Sequence, residues 1–123
     1  MSKKQQREPL AAFEALRAFA LSLPGGEEGA SYGTRCFRVK GKFLCRLRED
    51  NETVVIKPVD DARRQALFQI DPHTYFITDH YLGYDCILVR LATVKPEALN
   101  QLFESAWRAA APKKLVAQRH AAG

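Results

Sequence analysis

Apolar and basic side chains alternate across Tyr32–Arg48, and this period of two predicts a β-hairpin folded about Gly41. We expect a three-residue loop, 39–41, because Gly41 can adopt a positive φ, and this loop places Phe37 opposite Phe43. The side chains predicted to share the buried face are Phe37, Phe43, Cys45 and Leu47. Those predicted on the other face are Arg38, Arg46 and Arg48, with Cys36 and Leu44 between them.

The elements on either side of this hairpin follow from periodicity and breakers. Pro9 suits a first helical turn, and apolar residues at helical spacing follow it until Pro24-Gly25-Gly26 ends the helix. A short first strand or an extended lead-in is expected over Glu27–Tyr32. Three consecutive β-branched residues in Thr53–Lys57 predict a further strand, which completes an antiparallel meander.

The second half of the chain predicts a helix, a hairpin and another helix. Asp60 is a suitable N-cap for a helix that runs to about Ile70. Tyr75–Ile77 and the very hydrophobic Asp85–Ala92 are expected to be strands, the latter in the interior of the sheet. Grouped strands indicate an α+β two-layer sandwich, with helices packed on one face of an antiparallel sheet.

The last long helix opens at Lys95-Pro96-Glu97 and carries an apolar stripe that includes Trp107. Pro112 interrupts it, and Lys113–His120 could add a final helical turn. We expect one domain over 1–123, a length that suffices for one core, with 1–8 and 117–123 as frayed tails.

The net charge of +5 is concentrated in the ends of the chain. Residues 1–8 contribute +2 and residues 112–123 contribute +3, so the stretch 9–111 is neutral. Within that neutral stretch, Arg35–Arg48 contains six basic residues and no acid, and acidic residues flank it. Such a local basic patch favours contact with an anionic partner less strongly than a uniformly basic domain would.

Three cysteines, Cys36, Cys45 and Cys86, lack the spacing of a metal site, and we expect reduced thiols in a reducing compartment. Glu14 and Arg17 interrupt the apolar N-terminal stretch, which fits an amphipathic helix better than a signal peptide. No apolar run has the length of a membrane span. We therefore expect a cytoplasmic protein with no membrane association.

Short motifs in a fixed order resemble the MmcQ/YjbR family of small bacterial proteins. These motifs are Ala20–Glu28, Tyr32-Gly33, Phe37–Phe43, Thr78–Tyr81, Leu88–Leu91, Glu104–Trp107 and Ala111–Leu115. The resemblance implies a compact frataxin-like sandwich, often described as a double-wing fold, and a DNA-binding role by family name. The family often has a tryptophan where this chain has Cys86.

The basic hairpin is the first candidate site for nucleic acid. Its proposed phosphate contacts are Arg38, Lys40, Lys42, Arg46 and Arg48. A two-stranded ribbon is also narrow enough to enter a major groove. The alternative is a solvated sheet face whose charges discourage edge pairing.

The loop Thr78–Tyr84 is the second candidate site, with His80 and Tyr81 as the residues that would contact a base or a phosphate. In the alternative, Asp79 caps the turn and Tyr81 packs over the edge of the sheet. A protein-interaction or small-ligand module that uses this loop is the competing functional hypothesis.

Signatures of catalysis are missing from the sequence. It contains no Gly-rich phosphate loop, no paired metal ligands and no nucleophile elbow. We therefore expect a non-enzymatic protein without cofactor or metal, a monomer or weak dimer whose partner is DNA bound without sequence preference. Frataxin-like iron binding would need an acidic ridge, and the first helix offers only Glu8 and Glu14.

Overall fold

The computed structural model describes residues 8–122. Its helices are α1 (Pro9–Ser22), α2 (Asp61–Ile70), α3 (Pro96–Ala110) and α4 (Lys113–Ala122). Its strands are β1 (Gly26–Ser31), β2 (Thr34–Val39), β3 (Lys42–Leu47), β4 (Thr53–Ile56), β5 (Tyr75–Phe76) and β6 (Ile87–Arg90). A single 3-10 turn spans Asp79–Tyr81.

The six strands form one antiparallel sheet in the order β1-β2-β3-β4-β6-β5. Strands β1 to β4 are a meander, and α2 carries the chain past β4 so that β6 can pair with it. The predicted α+β class and antiparallel sheet are confirmed.

Helix boundaries follow the signals that the sequence carries. The Asp60 side chain accepts a hydrogen bond from the Arg63 backbone N–H at 2.8 Å, which satisfies one of the free donors at the start of α2. Proline opens both α1 and α3. The Trp107 indole N–H donates to the Pro24 carbonyl at 3.0 Å, so α3 is tied to the turn that follows α1.

Helices α1 and α3 cover one face of the sheet, and the main core lies between them and the strands. The rings of Phe13 and Phe37 stack with centroids 5.4 Å apart, and Phe103 packs edge-on against Phe37 at 6.2 Å. Trp107 is fully buried, as its place in the apolar stripe of α3 predicted. Neither α1 nor α3 covers the opposite face of the sheet, which we call the open face.

The predicted hairpin register is wrong. The loop between β2 and β3 has two residues, Lys40 and Gly41, with φ of 49° and 79°; two-residue turns of this kind match the right-handed twist of the strands. Arg38 pairs with Phe43, and an irregularity in β3 leaves Leu44 without a partner in β2. Phe43 therefore lies on the open face and Leu44 in the core, the reverse of the prediction.

The C-terminal segment that was expected to fray is helical over the described residues. Helix α4 continues to Ala122, and Arg119 in it donates to the Glu104 carboxylate of α3 at 3.2 Å and 3.3 Å. Leu115 and Val116 pack against the main core. The predicted fraying of 1–7 and of 123 lies outside the described residues.

Candidate functional site

The open face is partly covered by the loop that follows β5. Tyr81 and Phe76 pack against a small second core on the open face. That second core consists of Val55, Cys86 and Leu88. The loop therefore stands on the middle of the sheet and leaves the surface beside it, over β2 and β3, uncovered.

This uncovered surface is a groove of about 640 Å³. The residues that line it are Ser31, Tyr32, Arg38, Phe43, Arg46, Glu49, Val55, Lys57, His80, Tyr81, Tyr84 and Cys86. Three cations and four aromatic residues other than histidine thus meet in one concave surface. A cationic surface with accessible rings can bind an anion that also carries a planar group.

Arg46 is a structural residue at the floor of the groove. It is only 8% exposed. Its Nη1 donates to Thr34 Oγ1 at 3.1 Å and to Glu49 Oε2 at 3.4 Å, and its Nη2 donates to the Tyr81 hydroxyl at 3.1 Å. Because both terminal nitrogens already have partners within the protein, we expect Arg46 to position the groove walls, whereas the sequence had suggested a phosphate contact.

Arg38 is the half-buried cation of the groove that keeps donors available. Its Nη2 donates to the Ala30 carbonyl at 3.4 Å, and no carboxylate pairs with it among residues 8–120. A Cβ built on Gly29 would lie 3.0 Å from Arg38 Nη1, so the glycine leaves room for the guanidinium. Arg38 can therefore meet an incoming anion.

Lys40 and Lys42 are exposed at the tip of the β2–β3 hairpin but do not line the groove. Lys42 pairs with Val39, which belongs to the main core. The side chain of Lys42 therefore leaves the backbone on the helix side of the sheet. The predicted basic set is consequently divided between the groove and the hairpin tip, because the corrected register turns Lys42 away from Arg38.

Arg48 lies beyond the groove, against the other side of Tyr81. Its Cζ is 5.8 Å from the centroid of the Tyr81 ring. Its Nε is buried and has no hydrogen-bond partner among the described residues. With Arg46 on its hydroxyl and Arg48 over its ring, Tyr81 is held by two of the predicted phosphate contacts.

His80 and Tyr81 have different surroundings, although the sequence suggested one joint role. His80 is exposed and packs edge-on against the Tyr81 ring, with centroids 4.9 Å apart. Tyr81 is partly buried and serves as the acceptor for Arg46. Of the two, His80 is the side chain that can contact a ligand.

Lys57, Phe43 and Tyr32 line the groove and were not predicted as site residues. Lys57 is two positions beyond Val55 in an extended segment, so alternation places both on the open face. That signal is present in the sequence. Phe43 was missed because a three-residue loop was predicted, whereas the two-residue turn at Lys40 and Gly41 pairs Phe43 with Arg38.

Two titratable groups of the groove have shifted pKa values. A hydrogen bond from its own backbone N–H and the nearby Arg46 lower the pKa of Glu49, so this acid is charged at neutral pH. Burial raises the pKa of the Cys86 thiol, which weakens it as a nucleophile. Within the described part of the chain, no group of three His, Cys, Asp or Glu side chains could hold a metal ion.

Fold and site together define an α+β protein whose antiparallel sheet has helices on one face and a basic, aromatic-lined groove on the other. A model of the YjbR family matches residues 21–109 of the chain. The chain belongs to the YjbR family, as the motifs predicted. Among residues 8–122, no helix is both long enough and apolar enough to cross a membrane.

Similar proteins with curated descriptions come from mycobacteria. The uncharacterized proteins Mb2600 of Mycobacterium bovis and Rv2570 of Mycobacterium tuberculosis are each 38% identical over 65 residues. The aligned segment covers 53% of this chain and 50% of each relative. The chain thus matches about half the length of these relatives.

A solved structure with a similar fold is the crystal structure of Deinococcus radiodurans protein DR2400, described with the domain DUF419. The two folds superpose with a TM-score of 0.68 at 24% sequence identity, over 81% of this chain and 78% of that one. This similarity supports the fold and the sheet topology.

Proposed function

We propose that the open face binds nucleic acid without catalysis, mainly through the phosphates. The observation that carries this proposal is the meeting of Arg38 and Lys57 with exposed aromatic rings in one groove. Phosphate contacts from arginine and lysine supply most of the affinity in sequence-independent binding. Lys57 Nζ also lies 3.5 Å from Asp85 Oδ1. Both side chains are exposed, so this ion pair is weak and a phosphate can easily replace the carboxylate.

The other basic residues of the hairpin have separate roles in this proposal. Lys40 extends the cationic surface at the hairpin tip, where a backbone passing the groove can reach it, whereas Lys42 lies on the helix side of the sheet. Arg46 and Arg48 hold Tyr81 in place and thereby shape the groove. Charge reversal at Arg46 would consequently disturb the fold, and a test of binding has to use Arg38 and Lys57.

A small anionic ligand is the second candidate, and the size of the groove favours it. A volume of about 640 Å³ lies within the ~300–1,000 Å³ typical of small-molecule sites. A nucleotide-sized molecule could use the same cations. The two candidates differ in the length of the ligand. An oligonucleotide in the groove is long enough to reach the hairpin tip as well.

Fluorescence anisotropy with labelled oligonucleotides tests the proposal at about 50 mM and 200 mM salt. We expect binding that weakens steeply with salt and falls at least about tenfold in Arg38→Glu/Lys57→Glu. The matched control is Lys95→Glu/Lys113→Glu, which makes the same charge change at two exposed lysines away from the groove.

Two results would contradict the proposal. One is the absence of binding to single-stranded and duplex probes at the lower salt concentration. The other is an equal loss of affinity in the groove variant and in the control, since net charge alone would then explain binding. Circular dichroism of each variant verifies that it is folded.

A further inference from the structure

Two tyrosines that line the groove have exposed rings. Tyr32 lies in the turn between β1 and β2 and is 84% exposed, and Tyr84 lies in the loop before β6 and is 61% exposed. Apolar rings of this size are seldom left in water without a binding role when they border a cavity. Burial in the core therefore does not explain either ring.

The backbone at Tyr32 is in the left-handed region, as it is at Lys40 in the β2–β3 turn. Tyr32 and Gly33 are the two residues of the β1–β2 turn, with φ of 52° and 78°, and Ser31 pairs with Thr34 across it. Turns with positive φ at both positions favour Asn-Gly, and a bulky residue at the first position is an outlier. Since Lys40 has the same conformation outside the groove, the feature that distinguishes Tyr32 is its exposed ring in the groove lining.

The positions of both tyrosines are fixed before any ligand binds. The Arg46 guanidinium lies 5.3 Å from the centroid of the Tyr32 ring, which orients that ring beside the groove. At Tyr84 the backbone is held instead: its N–H donates to the Tyr81 carbonyl at 3.2 Å, and Arg64 Nη1 donates to its carbonyl. Tyr32 is thus positioned through its ring and Tyr84 through its backbone.

We propose that the groove takes single-stranded nucleic acid, with unpaired bases stacked on Tyr32 and Tyr84 while phosphates meet Arg38 and Lys57. This inference rests on the proposed function and specifies its ligand. Stacking needs the flat faces of bases, and a duplex hides these faces between neighbouring pairs. The rings therefore favour a single strand, and the cations alone would accept either form.

The test compares a labelled thymidine oligonucleotide of about 12 nucleotides with a duplex of equal length. Tyr84→Ala and Tyr32→Asn should each weaken single-strand binding by about tenfold. Affinity for the duplex should change less than about twofold, and the salt dependence should stay the same because no charge is altered. Tyr84→Phe keeps the ring and should bind the single strand as the wild type does.

Three outcomes would overturn the single-strand assignment while leaving phosphate binding intact. They are equal losses for both probes in the tyrosine variants, no loss in either variant, and displacement of the oligonucleotide by free thymidine monophosphate at equal concentration. The last outcome would indicate a mononucleotide site. Failure of the proposed function has a different signature, in which Arg38→Glu/Lys57→Glu binds like the wild type or the wild type binds neither probe.

Discussion

The Arg46 guanidinium donates from Nη2 to the hydroxyl of Tyr81 at 3.1 Å, and this contact joins residues 35 positions apart in the chain. Through Nη1 the same guanidinium also reaches Thr34 at the start of β2. One buried arginine therefore connects the β1–β2 turn, the third strand and the loop that covers the open face. The shape of the groove depends on this residue more than on the exposed lysines.

Removing this contact should cost stability. We expect Arg46→Met to lower the free energy of unfolding by about 2 kcal/mol, since hydrogen bonds of a charged donor are lost, and Tyr81→Phe by about 1 kcal/mol. The double variant should lose less than the sum, with a coupling of about 1 kcal/mol, because both changes remove one interaction. Urea denaturation measures all three values, and strict additivity would contradict the assigned contact.

Relieving the strain at Tyr32 should stabilise the fold while it weakens binding. Tyr32→Asn creates the preferred Asn-Gly turn and should raise the free energy of unfolding by about 0.5 kcal/mol, after allowance for the lost ring contact with Arg46. Lys40→Asn is the matched control, because Lys40 occupies the same position in the β2–β3 turn at φ 49°. A fall in thermal midpoint for Tyr32→Asn alongside a rise for Lys40→Asn would show that Tyr32 is retained for stability.

The pH dependence of stability should reflect the carboxylate of Glu104. Hydrogen bonds from Arg119, and then from Arg108, lower its pKa below the ordinary 4.5. A depressed acid stabilises the fold above 4.5, and this contribution is lost as pH falls through the folded-state pKa. Glu104→Gln should therefore cost about 1 kcal/mol at neutral pH and less in acid.

Urea denaturation at neutral pH and at successively lower pH values measures this difference. Glu52→Gln is the control, since Glu52 is an exposed acid whose side chain takes no part in these contacts. The difference in the free energy of unfolding between Glu104→Gln and the wild type should shrink in acid. A difference that stays constant down to strongly acidic pH would contradict the ion pair as its source.

The single tryptophan, Trp107, should be critical for joining α3 to the turn that follows α1. Trp107→Phe leaves a cavity and removes the donor to the Pro24 carbonyl, so we expect a loss of about 2–3 kcal/mol. Tyr84→Phe changes an exposed ring and should stay within about 0.5 kcal/mol. Thermal unfolding followed by circular dichroism separates the two, and equal midpoints would contradict the role assigned to the indole.

The order and type of the elements could be predicted because local signals agree with the final packing. Asp60 caps α2 as its sequence position suggested, and the β-branched run after Thr53 forms β4. Period-two alternation also assigns Lys57 to the open face once Val55 is placed there. These features depend on near neighbours in the chain.

The groove itself could not be predicted, because it depends on the length of one turn and on contacts between distant residues. The two-residue turn pairs Arg38 with Phe43, which puts Phe43 on the open face and separates Arg38 from Lys42, and the extra residue Leu44 returns Cys45 to the core. A sequence pattern shows that Arg46 is basic, but it does not show that Tyr81 and Thr34 engage its donors. Burial therefore decided which arginine remains available for a ligand.

The most direct test of the central claim is a ¹H–¹⁵N correlation spectrum recorded during titration with a thymidine oligonucleotide of about 12 nucleotides. The account predicts shift changes at the groove, above all at Arg38, Lys57 and the loop around Tyr84, with α1 and α3 unchanged. Changes confined to the helical face, or no changes at saturating oligonucleotide and low salt, would contradict the assignment of the open face as the nucleic-acid interface.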